Sequence, residues 1–127
     1  MDSPSTSWRR QRGDVAEGDA ETFLQGRGLV TVARNWRCRM GEIDLVMLDD
    51  EVLVFVEVRY RGSQHHGGAA ASVDQRKQRR LVAAARHYLR LHPEAALRRC
   101  RFDVIALQPG NGEEQSIDWI SGAFYAS

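Results

Sequence analysis

Four ionisable residues on one predicted β-hairpin carry most of the chemistry this sequence offers. Glu42 and Asp44 lie in the stretch from Glu42 to Leu48, Glu57 and Arg59 in the stretch from Val52 to Arg59, and the acidic turn Asp49-Asp50-Glu51 separates them. Whether the loop has two residues or four, the pairing it sets puts Asp44 opposite Glu57 and Glu42 opposite Arg59. Side chains alternate along a strand, so all four project from one face, at the open end of the hairpin beyond Val46, Leu48, Leu53 and Phe55. The other face is then purely apolar: Ile43, Leu45, Met47, Val54, Val56 and Val58. A three-residue loop would break this parity. Carboxylates crowded beside an apolar sheet raise one another's pKa unless a cation neutralises them. A hard divalent ion such as Mg²⁺ does so with one or two carboxylates and several waters, and it activates water as a nucleophile. The same residues would also make two solvated salt bridges, Glu42 with Arg59 and Asp44 with another arginine.

The charge distribution adds a second signal. Net charge is +1, but residues 59–101 hold 11 basic and 2 acidic groups, while residues 1–58 hold 7 and 11. A basic block beside an acidic one is expected of a protein that brings polyphosphate to a carboxylate-bound metal, although a solvated helix face would read the same way. Arg76, Lys77, Arg79 and Arg80 form the centre of the block, at the start of a predicted helix. His65 and His66 sit in a Gly-rich loop without a matching partner and read as ordinary surface residues.

The elements that must position these groups follow from periodicity. Val15, Ala16, Ala20, Phe23 and Leu24 recur at helical spacing between Gly13 and Arg27. Leu29 to Trp36 reads as a strand and, with the hairpin, makes a three-stranded meander. Ser72, with Gln75 three residues on, forms a capping box that opens a long helix running to about His92, just before Pro93. Its stripe is Leu81, Val82, Ala85, Tyr88 and Leu89. Arg101 to Leu107 is a fourth strand, parallel to the third through a right-handed crossover. Ser116 to Ile120 forms a short edge strand, and Trp36 and Trp119 read as packing residues. The fold class is α/β: a three-layer α-β-α arrangement with a central mixed sheet and an α-β-β-β-α-β core. Residues 1–12 read as a flexible N-terminal tail, and 13–127 as a single domain.

Composition narrows the class further. At 127 residues, 43% of them hydrophobic and 28% charged, the chain matches one globular domain with a real core. No apolar run is long enough to span a bilayer, and no secretory h-region follows the basic N-terminal segment. Cys38 and Cys100 form no CxxC or Cys/His pattern, which fits reduced thiols and a cytoplasmic location.

Three segments, Gly41-Glu42-Ile43-Asp44-Leu45, Phe55-Val56-Glu57-Val58-Arg59-Tyr60-Arg61 and Arg101-Phe102-Asp103-Val104, occur in order at fitting distances. Together they resemble the bacterial YraN family of endonuclease-like proteins, over Glu17 to Phe124. That family belongs to the restriction-endonuclease-like superfamily and is similar to archaeal Holliday junction resolvases. The resemblance implies divalent-metal-dependent phosphodiester hydrolysis of DNA, branched or single-stranded, with Mg²⁺ or Mn²⁺ as cofactor. The superfamily's Asp and Glu-x-Lys fall on Asp44, Glu57 and Arg59, the expected catalytic residues. The metal ligands implied are Asp44 and Glu57, with Glu42 and Glu17 beside them. Arg61, Arg76, Lys77, Arg79 and Arg80 are the expected nucleic-acid contacts, to DNA rather than RNA, in a possible homodimer with no membrane association. Arg59 departs from the pattern: arginine does not deprotonate and cannot act as a general base, though it can clamp phosphate. Two other readings therefore stand beside the nuclease, a catalytically silent nucleic-acid-binding module of the same fold and a protein-interaction subunit.

Overall fold

The computed structural model describes residues 4–60, 73–109 and 115–125, with side chains over 15–60, 73–108 and 116–125. Helix α1 (Pro4–Gly26) is followed by the meander β1 (Val30–Cys38), β2 (Gly41–Asp49) and β3 (Val52–Tyr60). Helix α2 (Gln75–Leu91) and a 3₁₀ turn at Ala95–Leu97 then lead to β4 (Cys100–Pro109) and β5 (Gln115–Phe124). The five strands form one sheet in the order β1-β2-β3-β4-β5, antiparallel except for the parallel β3–β4 pair that the crossover through α2 requires. This is the expected α-β-β-β-α-β order, extended by β5.

Each helix covers one face of the sheet. Ala16, Ala20 and Leu24 of α1 pack on Leu45, Met47, Val54, Val56, Ile105 and Leu107. Leu81, Ala84, Ala85 and Tyr88 of α2 pack on Val46, Leu53, Phe55, Phe102 and Val104. Strands buried on both sides need apolar residues in unbroken runs, as β3 shows from Leu53 to Val56. Trp36 packs edge-on against Tyr88, and Trp119 edge-on against Phe23, so both tryptophans serve packing.

Several boundaries differ from expectation. Helix α1 starts at Pro4, inside the segment read as a tail. Residues 4–12 lack an apolar stripe, which hides a helix from periodicity. Proline in the first turn gives up no hydrogen bond, and Arg, Gln and Ser carry the rest without a breaker. Val15, counted in the apolar stripe, is exposed. The N-cap of α2 is Asp74, whose side chain accepts from the Lys77 amide at 2.8 Å. Aspartate there meets the first free amides of the helix directly, and Ser72 lies outside the described residues. Strand β5 continues to Phe124, well past the short edge strand expected, and no described helix is long and apolar enough to cross a membrane.

Candidate metal centre at the splayed hairpin

The β2–β3 hairpin turns on Asp50 and Glu51, with Asp50 in the left-handed region at φ 53°. Its pairing runs from Asp49↔Val52 to Leu45↔Val56, in the register the two-residue turn demands. One step further the ladder stops. Continued pairing would give the Val58 amide to the Ile43 carbonyl. Instead that amide donates to Asp44 Oδ2 at 2.8 Å. A side chain thus occupies a backbone position, and the strands part.

Strict alternation is lost at the same point. Ile43 packs in the α2-side core with Val46 and Phe55, whereas Leu45 packs in the α1-side core with Met47 and Val54. The purely apolar face expected for the hairpin therefore does not include Ile43. Nor does Glu42 pair with Arg59. Glu42 is in register with Arg37 of β1, whose Nε lies 3.5 Å from its carboxylate. The splay caused by Asp44 removes the register that would have joined Glu42 to β3.

Acids from two layers converge in the opening. Glu17 comes from α1, Glu42 and Asp44 from β2, and one carboxylate oxygen of each lies within 4.8 Å of the others. This is the one such group of potential ligands among the described residues. Glu57, Lys77 and Arg80 line a cavity of about 180 Å³ together with Glu42 and Asp44. Glu57 is not one of the three converging acids. Its Oε1 lies 2.8 Å from Lys77 Nζ and 3.9 Å from the nearest Arg59 nitrogen.

The electrostatics follow from this crowding. Burial, then the charge of Glu57 and to a smaller extent that of Glu17, push the Asp44 carboxyl up to about 9, against the opposing Val58 hydrogen bond. Near neutral pH this favours the protonated form of the Asp44 carboxyl, which a side-chain hydrogen bond links to Glu57. The donors that converge are carboxylate oxygens alone, the set preferred by a hard divalent ion and not by a soft one.

The basic block divides in two. Lys77 and Arg80 face the acidic cavity, while Arg79 and Arg86 line a separate groove of about 480 Å³ with Tyr125, Gln75 and Gln78. Arg76 is exposed at the start of the helix. Arg61, His65 and His66 lie outside the described residues. Lys77 was expected on DNA, not on Glu57. The one sequence signal for its placement is the capping residue Asp74, which fixes Lys77 as the third residue of the helix.

With this geometry in place, the chain can be set beside known proteins. A family model described as "Uncharacterised protein family UPF0102" matches residues 16–107. A UPF0102 protein of Alcanivorax borkumensis is 52% identical over 118 residues, covering 93% of this chain and 94% of its own. One from Aeromonas hydrophila is 54% identical over 114 residues, covering 89% and 84%, and one from Pseudomonas putida is 51% identical over 112 residues, covering 88% and 91%. These names state no activity, so the reading of function rests on the site.

Proposed function

This chain belongs to the uncharacterised protein family UPF0102, and we propose that it is a divalent-metal-dependent nuclease that hydrolyses phosphodiester bonds of DNA. The observation that carries this reading is the convergence of Glu17, Glu42 and Asp44 within 4.8 Å at the point where the hairpin opens. Three carboxylates brought together from two layers, one of them forced to keep a proton, are costly to a fold unless a cation uses them. Asp44, Glu42 and Glu17 would hold Mg²⁺ or Mn²⁺, with Glu57 at the cavity wall within reach. A divalent cation bound there makes water a stronger nucleophile and offsets charge that builds on the phosphate.

The chain's own residues supply the rest. Asp44 is held by its bond to the Val58 amide and by a side-chain hydrogen bond to Glu57, which fixes its carboxyl beside the other acids. Lys77 and Arg80 place positive charge at the wall of the same cavity, where a phosphodiester would lie against the acids. The exposed Arg76 and Arg79 extend that charge along α2 and support contact with a DNA backbone.

A second reading, the silent binding module, is favoured by the Glu57–Lys77 contact at 2.8 Å, since an acid already neutralised by lysine resembles a structural ion pair. Cleavage assays separate the two. Linear duplex, single-stranded, flap and four-way substrates are incubated with Mg²⁺ or Mn²⁺. The wild type should cut at least one, and Asp44→Asn should lose that activity by about 100-fold or more. Metal-independent binding to DNA with no cleavage of any substrate would leave the binding module.

A further inference from the structure

We propose that Lys77, reaching from the first turn of α2 to Glu57, is the cation that contacts the scissile phosphate, a role for which the strand's own Arg59 is badly placed. This rests on the metal-dependent nuclease reading and deepens it. Lys77 Nζ is 2.8 Å from Glu57 Oε1, against 3.9 Å for Arg59. The Glu57 side chain is only 5% exposed, whereas that of Lys77 is 41% exposed. The acid therefore sits in the wall of the cavity, and the ammonium lies on its open side.

The backbone of Lys77 is pinned, while its half-exposed tip is held by its ion pair with Glu57. Its amide donates to the Asp74 cap, which fixes the Cα relative to the sheet. Beyond that point a four-carbon stem carries a compact, rotatable charge. Among the described residues Glu57 is its one ion-pair partner. Arg80, one turn later on the same helix, lines the same cavity and adds a second positive group at its wall. Its turn packs against the start of β2, where a Cβ on Gly41 would touch the Arg80 carbonyl oxygen at 3.4 Å.

Two cations beside an acidic floor form a site for an anion that arrives together with a divalent ion. In the metal-free protein Lys77 neutralises Glu57. With a divalent cation bound by the carboxylates, Glu57 would no longer depend on the ammonium, and Lys77 would donate a hydrogen bond to a non-bridging phosphate oxygen. In the reaction the oxygen of water forms a new bond to phosphorus, and the bond from phosphorus to the leaving sugar oxygen breaks. The attacking water gives a proton to solvent, and the leaving oxygen takes one from solvent. Lys77 remains an ammonium throughout.

The test uses the full chain as wild type, Lys77→Met, Lys77→Arg and Arg59→Met. Mn²⁺ affinity is read from melting curves and calorimetry, and cleavage from the best DNA substrate of the wild type. Lys77→Met should bind Mn²⁺ as tightly as wild type or several-fold tighter, because a competing ammonium is gone. It should cleave about 100-fold more slowly, the loss expected on removing one group that stabilises the transition state. Lys77→Arg should recover part of that rate, and Arg59→Met should lose less than Lys77→Met. Cleavage by Lys77→Met within threefold of wild type would overturn the proposal, as would a variant that loses Mn²⁺ binding and melting temperature together. If the wild type binds Mn²⁺ but cuts nothing, affinity for a DNA oligonucleotide in Mn²⁺ replaces the rate. Its loss in Lys77→Met supports the role, and an unchanged value refutes it. A wild type that neither binds Mn²⁺ nor cleaves would remove the nuclease reading itself, a result distinct from the failure of Lys77 alone.

Discussion

Asp103 on β4 and Asp44 on β2 are both drawn into the sheet, yet their surroundings are opposite in kind. Asp103 is fully buried and accepts four hydrogen bonds: from Arg101 Nε at 3.0 Å, Arg101 Nη2 at 3.2 Å, Trp119 Nε1 at 3.0 Å and the Gly122 amide at 2.9 Å. These donors belong to β4 and β5, at the register shift between Phe102 and Val104. There β5 bulges, with Gly122 in the left-handed region at φ 62°, and the carboxylate takes up the amide the bulge exposes. Arg101 is tied further to Asp49 at 2.9 Å. Asp44 accepts one backbone amide and otherwise meets other acids. A buried carboxylate with a full set of donors is part of the architecture. One left among like charges costs the fold stability until a cation arrives.

Asp103→Ala should destabilise the protein by about 3–5 kcal/mol in urea unfolding, because it strips partners from a largely buried arginine, an indole and a bulge amide together. A loss below about 1 kcal/mol would mean the clamp on β5 is idle. Asp44→Asn should move the other way. The Val58 bond can persist to the amide oxygen, while a carboxyl that must stay protonated to remain buried is replaced by a group that is neutral at every pH.

The size of that gain depends on pH. With Asp44 raised from 3.8 to about 9, the folded state keeps a proton that the unfolded chain has lost between those values. Metal-free stability therefore falls as pH rises through this window, and Asp44→Asn removes that part of the slope. Near pH 8 the variant should be the more stable of the two, and the difference should shrink as pH falls toward the ordinary carboxylate value. Parallel stability–pH curves for the two proteins would show that Asp44 is not strained.

Much of the fold is legible in the sequence. The two-residue turn specifies the hairpin register, and apolar runs on both strands specify burial on two faces, so the sheet order and both helices follow. What failed was local. Alternation describes backbone pairing, and it cannot register a side chain such as Asp44 competing for the Val58 amide. Where that bond replaces the ladder, Ile43 lies in the other layer, and Glu42 keeps only its β1 partner, Arg37. Lys77 was visible as one basic residue among many, since its contact with Glu57 depends on how α2 crosses the sheet and not on any spacing along the chain. The start of α1 was hidden because a helix without an apolar stripe has no periodic signature.

Melting curves of wild type and Asp44→Asn, with and without Mn²⁺ or Mg²⁺, distinguish a metal site at the splayed hairpin from an ion-pair network. A ligand that binds only the folded state at 100 times its dissociation constant adds about 2.7 kcal/mol of stability. The wild type should gain melting temperature with either ion, more at pH 8 than at pH 6, because the ion displaces the Asp44 proton. Asp44→Asn should start at or above the metal-free wild type and gain nothing. A variant that melts below the metal-free wild type, beside a wild type indifferent to both ions, would show that the acids at the splayed hairpin are a structural ion-pair network.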